Sequence, residues 1–285
     1  MRLVRFGPLG QERPGLIDAQ GILRDCSGAV TDWNGETIAP ASLARVAAED
    51  DRSFPPVPGQ PRLGVPLTGI RKFLGVGLNY ADFAQAAGRA APAEAALFTK
   101  AISCLSGPSD GVMLPHGSTH TDWEVELGVF IGKTARYVPE AQALDHVAGY
   151  ALVNDISERE YQNDRGGTWD KGKGCDTFGP VGPWLVTPDE LGNPQDVELW
   201  LEVNGHRWQN GNTSRMIFGV AQLVAYISRF ITLEPGDLIA TGTPAGVGSM
   251  QKPQPVFLRE GDVVRLGGSR LGTQQHRVVA WRRPG

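Results

Sequence analysis

Cysteine and long apolar runs are both scarce in this chain, and their scarcity excludes several classes of protein. The 285 residues include three cysteines, at positions 26, 104 and 175, and no CxxC pair. An odd number of widely spaced thiols argues against a disulfide framework or a thiolate metal site, so we expect a reducing, cytoplasmic location. No apolar run approaches the length of a transmembrane helix, and the N-terminus lacks the apolar core of a signal peptide. We therefore expect no membrane association.

An excess of charge of one sign is also missing. The chain carries 27 basic and 31 acidic residues, a net charge of −4, and no dense Lys/Arg cluster. This balance argues against binding to DNA or RNA. The hydrophobic fraction of 41% is ordinary for a globular protein, and the length suits one large domain or one domain with a small appendage. The 37 glycines and 21 prolines favour many turns and short strands.

The order of strand, helix and turn patterns divides the chain into two units. Residues 1–66 predict a small β/α module, with strands at 3–6 and 15–23, a helix at 41–48 and a Pro-rich connector at 54–61. Residues 70–283 predict a main domain dominated by strands. Its predicted strands cover residues 72–77, 96–99, 122–131, 146–153, 197–203, 206–208, 237–240 and 262–266; its clearest helix covers 219–230, and Asn204-Gly205 predicts a hairpin turn.

Two acidic residues within the predicted strand 122–131 are the most informative feature of the chain. Because side chains alternate along a strand, Glu124 and Glu126 point to the same face, about 6.6 Å apart along the backbone. Trp123 and Val125 then face a core. Adjacent carboxylates repel each other and lose water unfavourably, and a divalent cation such as Mg²⁺, Mn²⁺ or Ca²⁺ removes both penalties. A solvated strand face that carries two acids is the alternative.

A third carboxylate, Asp155, follows the predicted strand 146–153. The next residues, Ser157 to Glu160, fit the Ser-x-x-Glu capping box that opens many helices. Asp155 would then lie at a strand-to-helix turn, where ligand-facing side chains are common. Arg159 and Gln162 would share one helix face, and Arg159 could also pair with Asp155. An ordinary helix start with one ion pair is the alternative.

Two glycine-rich segments could bring the backbone close to a ligand. Residues 167–173 match GxxxxGK, but Gly174 stands where a P-loop needs Ser or Thr, so we reject nucleotide binding. Residues 241–248 directly follow a predicted strand, and their exposed N–H groups could hold a carboxylate. A plain loop is the alternative. His120 shares strand parity with Glu124 and Glu126, so a mixed His/Glu metal site is a further alternative.

Taken together, these segments resemble the fumarylacetoacetate hydrolase superfamily over about residues 70–280. The motifs that carry the resemblance occur in the family's order: GLNYAD (77–82), DWEVEL (122–127), NDISER (154–159), GKGCDTF (172–178), NTSRMIF (212–218) and TGTPAGVG (241–248). The leading module and residues 179–184 look most like bacterial members that hydrolyse 2,4-diketo-3-deoxy sugar acids.

The resemblance implies a fold, a site and a reaction. The fold is α+β, a β-rich mixed roll with a small N-terminal module, and family members are usually homodimers. Glu124, Glu126 and Asp155 match the ligands of Mg²⁺ or Mn²⁺, with Ca²⁺ possible in crystals. The positions that match contacts to a small keto-acid substrate are Arg159, Gln162, Lys173, Thr243 and Lys100. The implied reaction is hydrolysis of a C–C bond in a 2,4-diketo acid of the acylpyruvate type, with release of pyruvate.

One segment departs from the family pattern. Many short members carry a His-x-x-Glu pair after the Asn-Tyr-x-Asp block, and the matching residues here are Phe83 and Ala86, which cannot accept a proton. Glu94 is the only carboxylate on residues 83–94, so we assign it, with Arg159 and Lys173, as a candidate catalytic residue. The alternatives are a lyase, decarboxylase or tautomerase that works through a metal enolate without attack by water, and an inactive ligand-binding protein.

Overall fold

The computed structural model describes residues 1–282, and strands make up most of its regular structure. The strands are β1 (Arg2–Phe6), β2 (Arg13–Ile17), β3 (Leu23–Asp25), β4 (Phe73–Gly77), β5 (Ala96–Thr99), β6 (Leu105–Ser106), β7 (Val112–Leu114), β8 (Thr121–Asp122), β9 (Val125–Ile131), β10 (Val147–Asn154), β11 (Ser157–Glu158), β12 (Gly179–Val186), β13 (Glu198–Val203), β14 (His206–Asn212), β15 (Leu238–Ala240), β16 (Val263–Gly268) and β17 (Gly272–Ala280). The helices are α1 (Pro40–Ala47), α2 (Ala81–Ala86), α3 (Arg159–Asn163), α4 (Asp170–Lys173), α5 (Pro188–Leu191) and α6 (Val220–Ile227). The predicted β-rich α+β fold is confirmed.

The largest sheet runs in the order β3-β2-β1-β12-β10-β9-β15-β4-β5, with β6 paired to β12. Every residue of β9 and β10 is buried, because both faces of the sheet are covered at its centre. A second sheet, β14-β13-β16-β17-β7, packs nearby and contributes buried leucines and valines to the same core as β9. The acidic residues of interest therefore lie at the end of the most buried strands.

Several local predictions match this architecture. Asn204 and Gly205 both have positive φ, 53° and 79°, and they join β13 to β14 in the predicted hairpin. Helix α6 is shorter than its predicted range of 219–230, but its apolar stripe is buried as expected. Helix α1 begins at Pro40, where the missing N–H of proline costs little.

The N-terminal module shares the main sheet. Strand β1 pairs with β12, with Arg2 opposite Val186 and Leu3 opposite Leu185, so β1, β2 and β3 extend that sheet at one edge. The division into units 1–66 and 70–283 stays a prediction, and residue 283 lies outside the described residues.

The predicted strand 15–23 is wrong, because a turn interrupts it. Strand β2 ends at Ile17, and Asp18 Oδ1 accepts hydrogen bonds from the backbone N–H groups of Gln20 and Ile22, at 2.9 and 2.8 Å. Asp18 Oδ2 pairs with Arg24 at 2.9 Å. A buried aspartate that binds its own downstream backbone replaces the sheet hydrogen bonds with a turn.

The predicted strand 122–131 is also interrupted, at residues 123 and 124. Side-chain amides take the place of a neighbouring strand there: Glu124 N–H donates to Asn154 Oδ1 (3.2 Å), and Val125 N–H donates to Gln209 Oε1 (2.9 Å). Local periodicity could not show this break, because the two amides come from distant parts of the chain.

The predicted capping box at residues 157–160 does not form. Ser157 and Glu158 are extended and pair with β8, and α3 begins only at Arg159. The Ser157 hydroxyl donates to the carbonyl of Asp155 (3.0 Å) instead of accepting from a helix N–H. Tertiary pairing with β8 has overridden the local helix pattern.

Candidate active site

Three buried carboxylates converge where β9 and β10 end. Glu124, Glu126 and Asp155 each offer an oxygen, and these oxygens lie within 4.8 Å of one another. The three residues are 6%, 2% and 0% exposed. The sheet register places Glu126 opposite Val153, and the backbone N–H of Asp155 donates to the carbonyl of Glu124 (2.9 Å). Two neighbouring strand ends thus fix all three groups, which we call the carboxylate triad.

The residues next to the triad are cationic. Lys173 Nζ bridges Glu124 Oε2 (2.7 Å) and Asp155 Oδ2 (2.6 Å). Arg159 Nη2 lies 2.7 Å from Glu124 Oε1, and Arg159 also pairs with Asp122 at 2.8 Å. The predicted pair of Arg159 with Asp155 is wrong, because the interrupted strand brings Asp122 and Glu124 to Arg159 and leaves Asp155 to lysines.

Lys100 pairs with one member of the triad, Asp155, within the protein interior. Its Nζ lies 2.6 Å from Asp155 Oδ1 and also donates to the carbonyl of Lys173. The Lys100 side chain has no exposed surface and is not among the residues that line the cavity described below. Lys100 is therefore a partner of Asp155 that does not line the cavity.

The pKa values of Glu126 and Asp155 shift in opposite directions. Burial, together with the charges of Asp155 and Glu124, raises the pKa of Glu126 well above its ordinary value. Burial also raises the pKa of Asp155, but the ammonium groups of Lys100 and Lys173 outweigh it, so the net shift is downward. Of these two residues, Glu126 is the one whose charged form is disfavoured by its surroundings.

Backbone N–H groups of the segment 241–248 donate hydrogen bonds to carboxylates of the protein itself. The N–H of Gly242 donates to Glu126 Oε2 (2.7 Å), and the N–H of Gly248 donates to Asp122 Oδ1 (2.7 Å). Gly242 has φ of +97°, and a Cβ there would lie 2.8 Å from the Cβ of Asn79, so the position requires glycine. The loop thus orients the Glu126 carboxylate, which sequence reasoning did not anticipate.

A cavity of about 370 Å³ opens onto two members of the triad, Glu124 and Glu126. Its inner lining includes Glu124, Glu126, Arg159, Lys173, Gln162 and Thr243. Gln162 Oε1 accepts from Arg159 Nη1 (3.0 Å), and the Thr243 hydroxyl donates to the carbonyl of Val125 (2.9 Å). Asp155 and its partner Lys100 do not line the cavity, but they lie next to these six residues, so the structure brings together eight of the nine predicted site residues.

Glu94 is the predicted residue that the structure does not bring to the site. It lines a different cavity, and its carboxylate accepts a hydrogen bond from the Tyr226 hydroxyl (2.9 Å) on α6. His120 is exposed and bonds to Thr119, and its possible ligand atoms group with Glu158 and Glu160, not with the triad. The alternative in which His120 shares a metal with Glu124 and Glu126 therefore has no geometric support.

Three other residues that line the cavity were missed or given no role. Trp169 lies over Gly77, where a Cβ would come within 2.3 Å of its ring, so Gly77 makes room for the indole. Arg89 and Lys252 also line the cavity. The sequence could not place Arg89 and Lys252 at one cavity, because α2 and the residues after Gly248–Met250 meet only in the folded chain.

Comparison with known proteins identifies the class. Residues 72–279 match the model of the fumarylacetoacetate (FAA) hydrolase C-terminal domain, so the chain belongs to the fumarylacetoacetate hydrolase family, as its motifs predicted. No helix among residues 1–282 is long and apolar enough to cross a membrane.

The chain is similar to relatives over nearly its full length. A Burkholderia lata protein with only a general hydrolase name is 57% identical over 97% of this chain and 98% of its own. A Mycobacterium abscessus structure, assigned provisionally as a 2-hydroxyhepta-2,4-diene-1,7-dioate isomerase, is 31% identical, with a TM-score of 0.84 and coverage of 99% and 100%. The maleylpyruvate hydrolase of Sphingobium sp. SYK-6, solved with manganese(II) and pyruvate, is 31% identical, with a TM-score of 0.81 and the same coverage.

Proposed function

We propose that the protein is a metal-dependent hydrolase that cleaves a carbon–carbon bond in a small 2,4-diketo acid and releases pyruvate. The observation that carries the proposal is the buried carboxylate triad at the base of a cavity that also presents Arg159 and Lys173. The names of relatives support it, since one neighbour is a maleylpyruvate hydrolase with manganese and pyruvate bound.

The triad fits a hard divalent cation, Mg²⁺ or Mn²⁺, with Ca²⁺ as a substitute in crystals. Its donors are all carboxylate oxygens, and the raised pKa of Glu126 marks a position where positive charge is lacking. Glu124, Glu126 and Asp155 would hold the ion. When bound, it supplies Lewis-acid polarisation of a 2-keto group.

Two cationic side chains of the protein would stabilise the negative charge that develops on the substrate. Arg159 and Lys173 line the cavity and would face the oxygens of the keto-acid head, where negative charge develops as the bond breaks. Burial lowers the pKa of Lys173, but the charges of Asp155 and Glu124 outweigh it and raise the pKa, so this lysine stays protonated. Gln162 and Thr243 remain proposed substrate contacts.

The proposed reaction balances with one water molecule. The water oxygen adds to C4, the C3–C4 bond breaks, and its electron pair passes to C3, which gains a proton to give pyruvate. The other product is the carboxylic acid derived from C4. This sequence needs a general base to take a proton from water.

A second candidate function follows from the cavity lining, which includes Phe83 and Ala86 and no histidine. A group that cannot accept a proton stands where many relatives carry their base. A lyase, decarboxylase or tautomerase of a 2-keto acid works without attack by water. An inactive ligand-binding protein is the third possibility.

The deciding experiment assays purified protein with Mg²⁺ or Mn²⁺ on acylpyruvates and on oxaloacetate. Release of pyruvate and a second acid, without CO₂, supports the hydrolase. Release of CO₂ supports the decarboxylase, and loss of the enol absorbance without cleavage supports the tautomerase. Binding of oxalate without turnover of any substrate would contradict enzymatic function.

Glu124→Gln tests the triad in the same assays. We expect Mn²⁺ affinity and activity to fall together, activity by at least about 10³-fold, because metal and substrate charge stabilisation are lost at once. Glu94→Gln is the matched control and should leave both within about twofold. Retained metal binding in the Glu124 variant would contradict the site. The cytoplasmic location and the homodimer implied by the family resemblance remain predictions.

A further inference from the structure

A second group of possible metal ligands lies apart from the carboxylate triad. His120, Glu158 and Glu160 each offer an imidazole nitrogen or a carboxylate oxygen, and these atoms lie within 4.8 Å of one another. His120 is exposed, Glu160 is partly exposed and Glu158 is fully buried. We call these three residues the histidine cluster. None of them lines the cavity, so the proposed reaction gives them no role.

Pairing between β8 and β11 brings the histidine cluster together. Thr121 lies opposite Glu158 in the register, and the N–H of Arg159 donates to the carbonyl of His120 (3.0 Å). Glu160 follows in the first turn of α3. Two chain segments that are fixed to each other by backbone hydrogen bonds therefore carry the cluster.

The Glu158 carboxylate has no cationic side chain within salt-bridge distance among residues 1–282. Its Oε2 accepts hydrogen bonds from the hydroxyls of Ser118 and Thr121, the second at 2.8 Å. Its Oε1 is buried and has no hydrogen-bond partner in the same part of the chain. A buried carboxylate without a cation and with one oxygen unsatisfied is unfavourable in its ionised form. A positively charged partner is therefore missing at Glu158.

The other buried acids in the described chain show that this situation is unusual. Most of them pair with a lysine or an arginine: Asp18, Asp122, Glu124, Asp155 and Asp237. Within residues 1–282, the two that lack such a partner are Glu126 and Glu158, and each belongs to one of the two groups of possible metal ligands. The lack of a cation, which supports a metal ion at Glu126, supports one at Glu158 as well.

The other two members of the histidine cluster have atoms available to a metal ion. His120 Nδ1 lies 2.9 Å from the Thr119 hydroxyl, and when Nδ1 donates to it, Nε2 keeps the lone pair that a metal ligand needs. Both hydrogen bonds from Arg165 to Glu160 end on Oε1. The Arg165 side chain is 56% exposed, so this ion pair contributes little to stability. Metal binding would therefore break no buried ion pair.

We propose that His120, Glu158 and Glu160 bind a divalent transition-metal ion, with Zn²⁺ as the expected ion. An imidazole and two carboxylates suit Zn²⁺, whereas Mg²⁺ prefers oxygen ligands alone. Three protein ligands leave a fourth position for water. Mn²⁺ comes lowest in the affinity order of the divalent first-row ions, so a titration with Mn²⁺ still reports on the triad.

The bound ion would connect the two segments that position Arg159. Asp122 on β8 pairs with Arg159 at 2.8 Å, and Arg159 lies between Glu158 and Glu160 in the chain. An ion that binds the folded protein and not the unfolded chain adds to stability by mass action. Because its ligands do not line the cavity, we expect a structural ion and not a catalytic one.

The first test is calorimetric titration of Zn²⁺ into full-length protein freed of metal. The Glu124→Gln variant removes the triad as a competing site and should still bind one Zn²⁺ per chain. His120→Gln in that background should lower the affinity at least about 100-fold, since loss of a ligand costs no less than loss of its supporting group. His206→Gln is the matched control, because His206 is also exposed but lies outside both groups of ligands, and it should leave the affinity unchanged.

Electron paramagnetic resonance with one equivalent of Cu²⁺ tests the ligands in the wild-type protein, whether or not the Glu124 variant folds. Nitrogen hyperfine coupling should appear, because the triad supplies oxygen atoms alone and the histidine cluster supplies an imidazole. The coupling should disappear in His120→Gln and persist in His206→Gln.

Thermal unfolding tests the missing cation at Glu158. A hundredfold excess of Zn²⁺ over its dissociation constant should raise the unfolding temperature of the Glu124→Gln protein by about 5 °C. The additional change Glu158→Gln should abolish this rise. Glu160→Gln alters a partly exposed side chain and should reduce the rise in the same way, with less risk to folding.

Three results would overturn the histidine cluster as a metal site. They are loss of all Zn²⁺ binding in a folded Glu124→Gln protein, equal Zn²⁺ affinity with and without His120, and a Cu²⁺ spectrum without nitrogen coupling. Each of them leaves the triad and the proposed hydrolase standing, because those are tested with Mn²⁺ and diketo acids. Loss of Mn²⁺ binding and of activity in His206→Gln would instead show that the control is unsound, and Cu²⁺ coupling that survives His120→Gln would place the ion at another histidine and overturn the proposal.

Discussion

The inner and outer parts of the cavity are built in different ways. At the base, most charged side chains are buried and pair with charged neighbours, as when Lys173 spans Glu124 and Asp155. At the mouth, Arg89 and Lys252 are exposed and unpaired among the described residues. Buried ions need partners because they have lost their water, whereas exposed ions keep theirs. The charges at the base are therefore fixed by one another, whereas the two cations at the mouth stay solvated.

The largest expected effect is a difference in the free energy of unfolding between variants of two lysines, Lys100 at the base and Lys252 at the mouth. Lys100→Met leaves Asp155 buried with one lysine fewer, and we expect a loss of about 3–5 kcal/mol in the free energy of unfolding, the usual cost of breaking a buried pair. Lys252→Met should change it by no more than about 0.5 kcal/mol. Urea unfolding of the metal-free protein measures both. Equal stability of the two variants would contradict the contrast.

The next prediction tests whether the lack of a proton acceptor at Phe83 and Ala86 limits the rate of hydrolysis. Phe83→His combined with Ala86→Glu restores the proton-accepting pair that many relatives carry. If water activation is limiting, hydrolysis of an acylpyruvate should rise about 10²-fold, at the lower end of what a general base contributes. Steady-state rates of the double variant and of Phe83→His alone provide the comparison. An unchanged rate would mean that another group already activates water.

The smallest effect concerns the pH dependence at the base. Without metal, the raised pKa of Glu126 means that the folded state holds a proton above pH 4.5, the ordinary value, so this residue's contribution to stability falls as pH rises toward its folded pKa. A metal ion must displace that proton. Mn²⁺ affinity should therefore rise with pH, by at most about tenfold per pH unit, until Glu126 is ionised.

Calorimetry in buffers of different ionisation enthalpy measures the proton released when Mn²⁺ binds. The release should approach one proton at pH values below the folded pKa of Glu126 and disappear above it. At the mouth, Arg89→Gln should leave the release unchanged. Uptake of a proton, or a flat affinity across acidic pH, would contradict the assignment of Glu126.

The motifs were sufficient to predict the family, the β-rich fold and the three acids that converge, because each acid lies in one of the short motifs beside an apolar strand. They failed where distant segments replace local hydrogen bonds. The break at residues 123 and 124 depends on the amides of Asn154 and Gln209, and the extended Ser157 depends on β8. Lys100 stays a predicted substrate contact; it pairs with Asp155 and does not line the cavity, an arrangement that its sequence position could not indicate.

The sequence by itself determined which chemical groups are available: three acids and their cations near buried strands, and no base at positions 83 and 86. Only the tertiary structure decided which of those groups contact each other and which cavity each one lines. It gave Asp155 two lysines and Glu126 none in direct contact, moved Glu94 to another cavity, and brought Arg89 and Lys252 to one mouth. The physical reason is that charge interactions depend on distance and burial, and both are set by contacts between residues far apart in the chain.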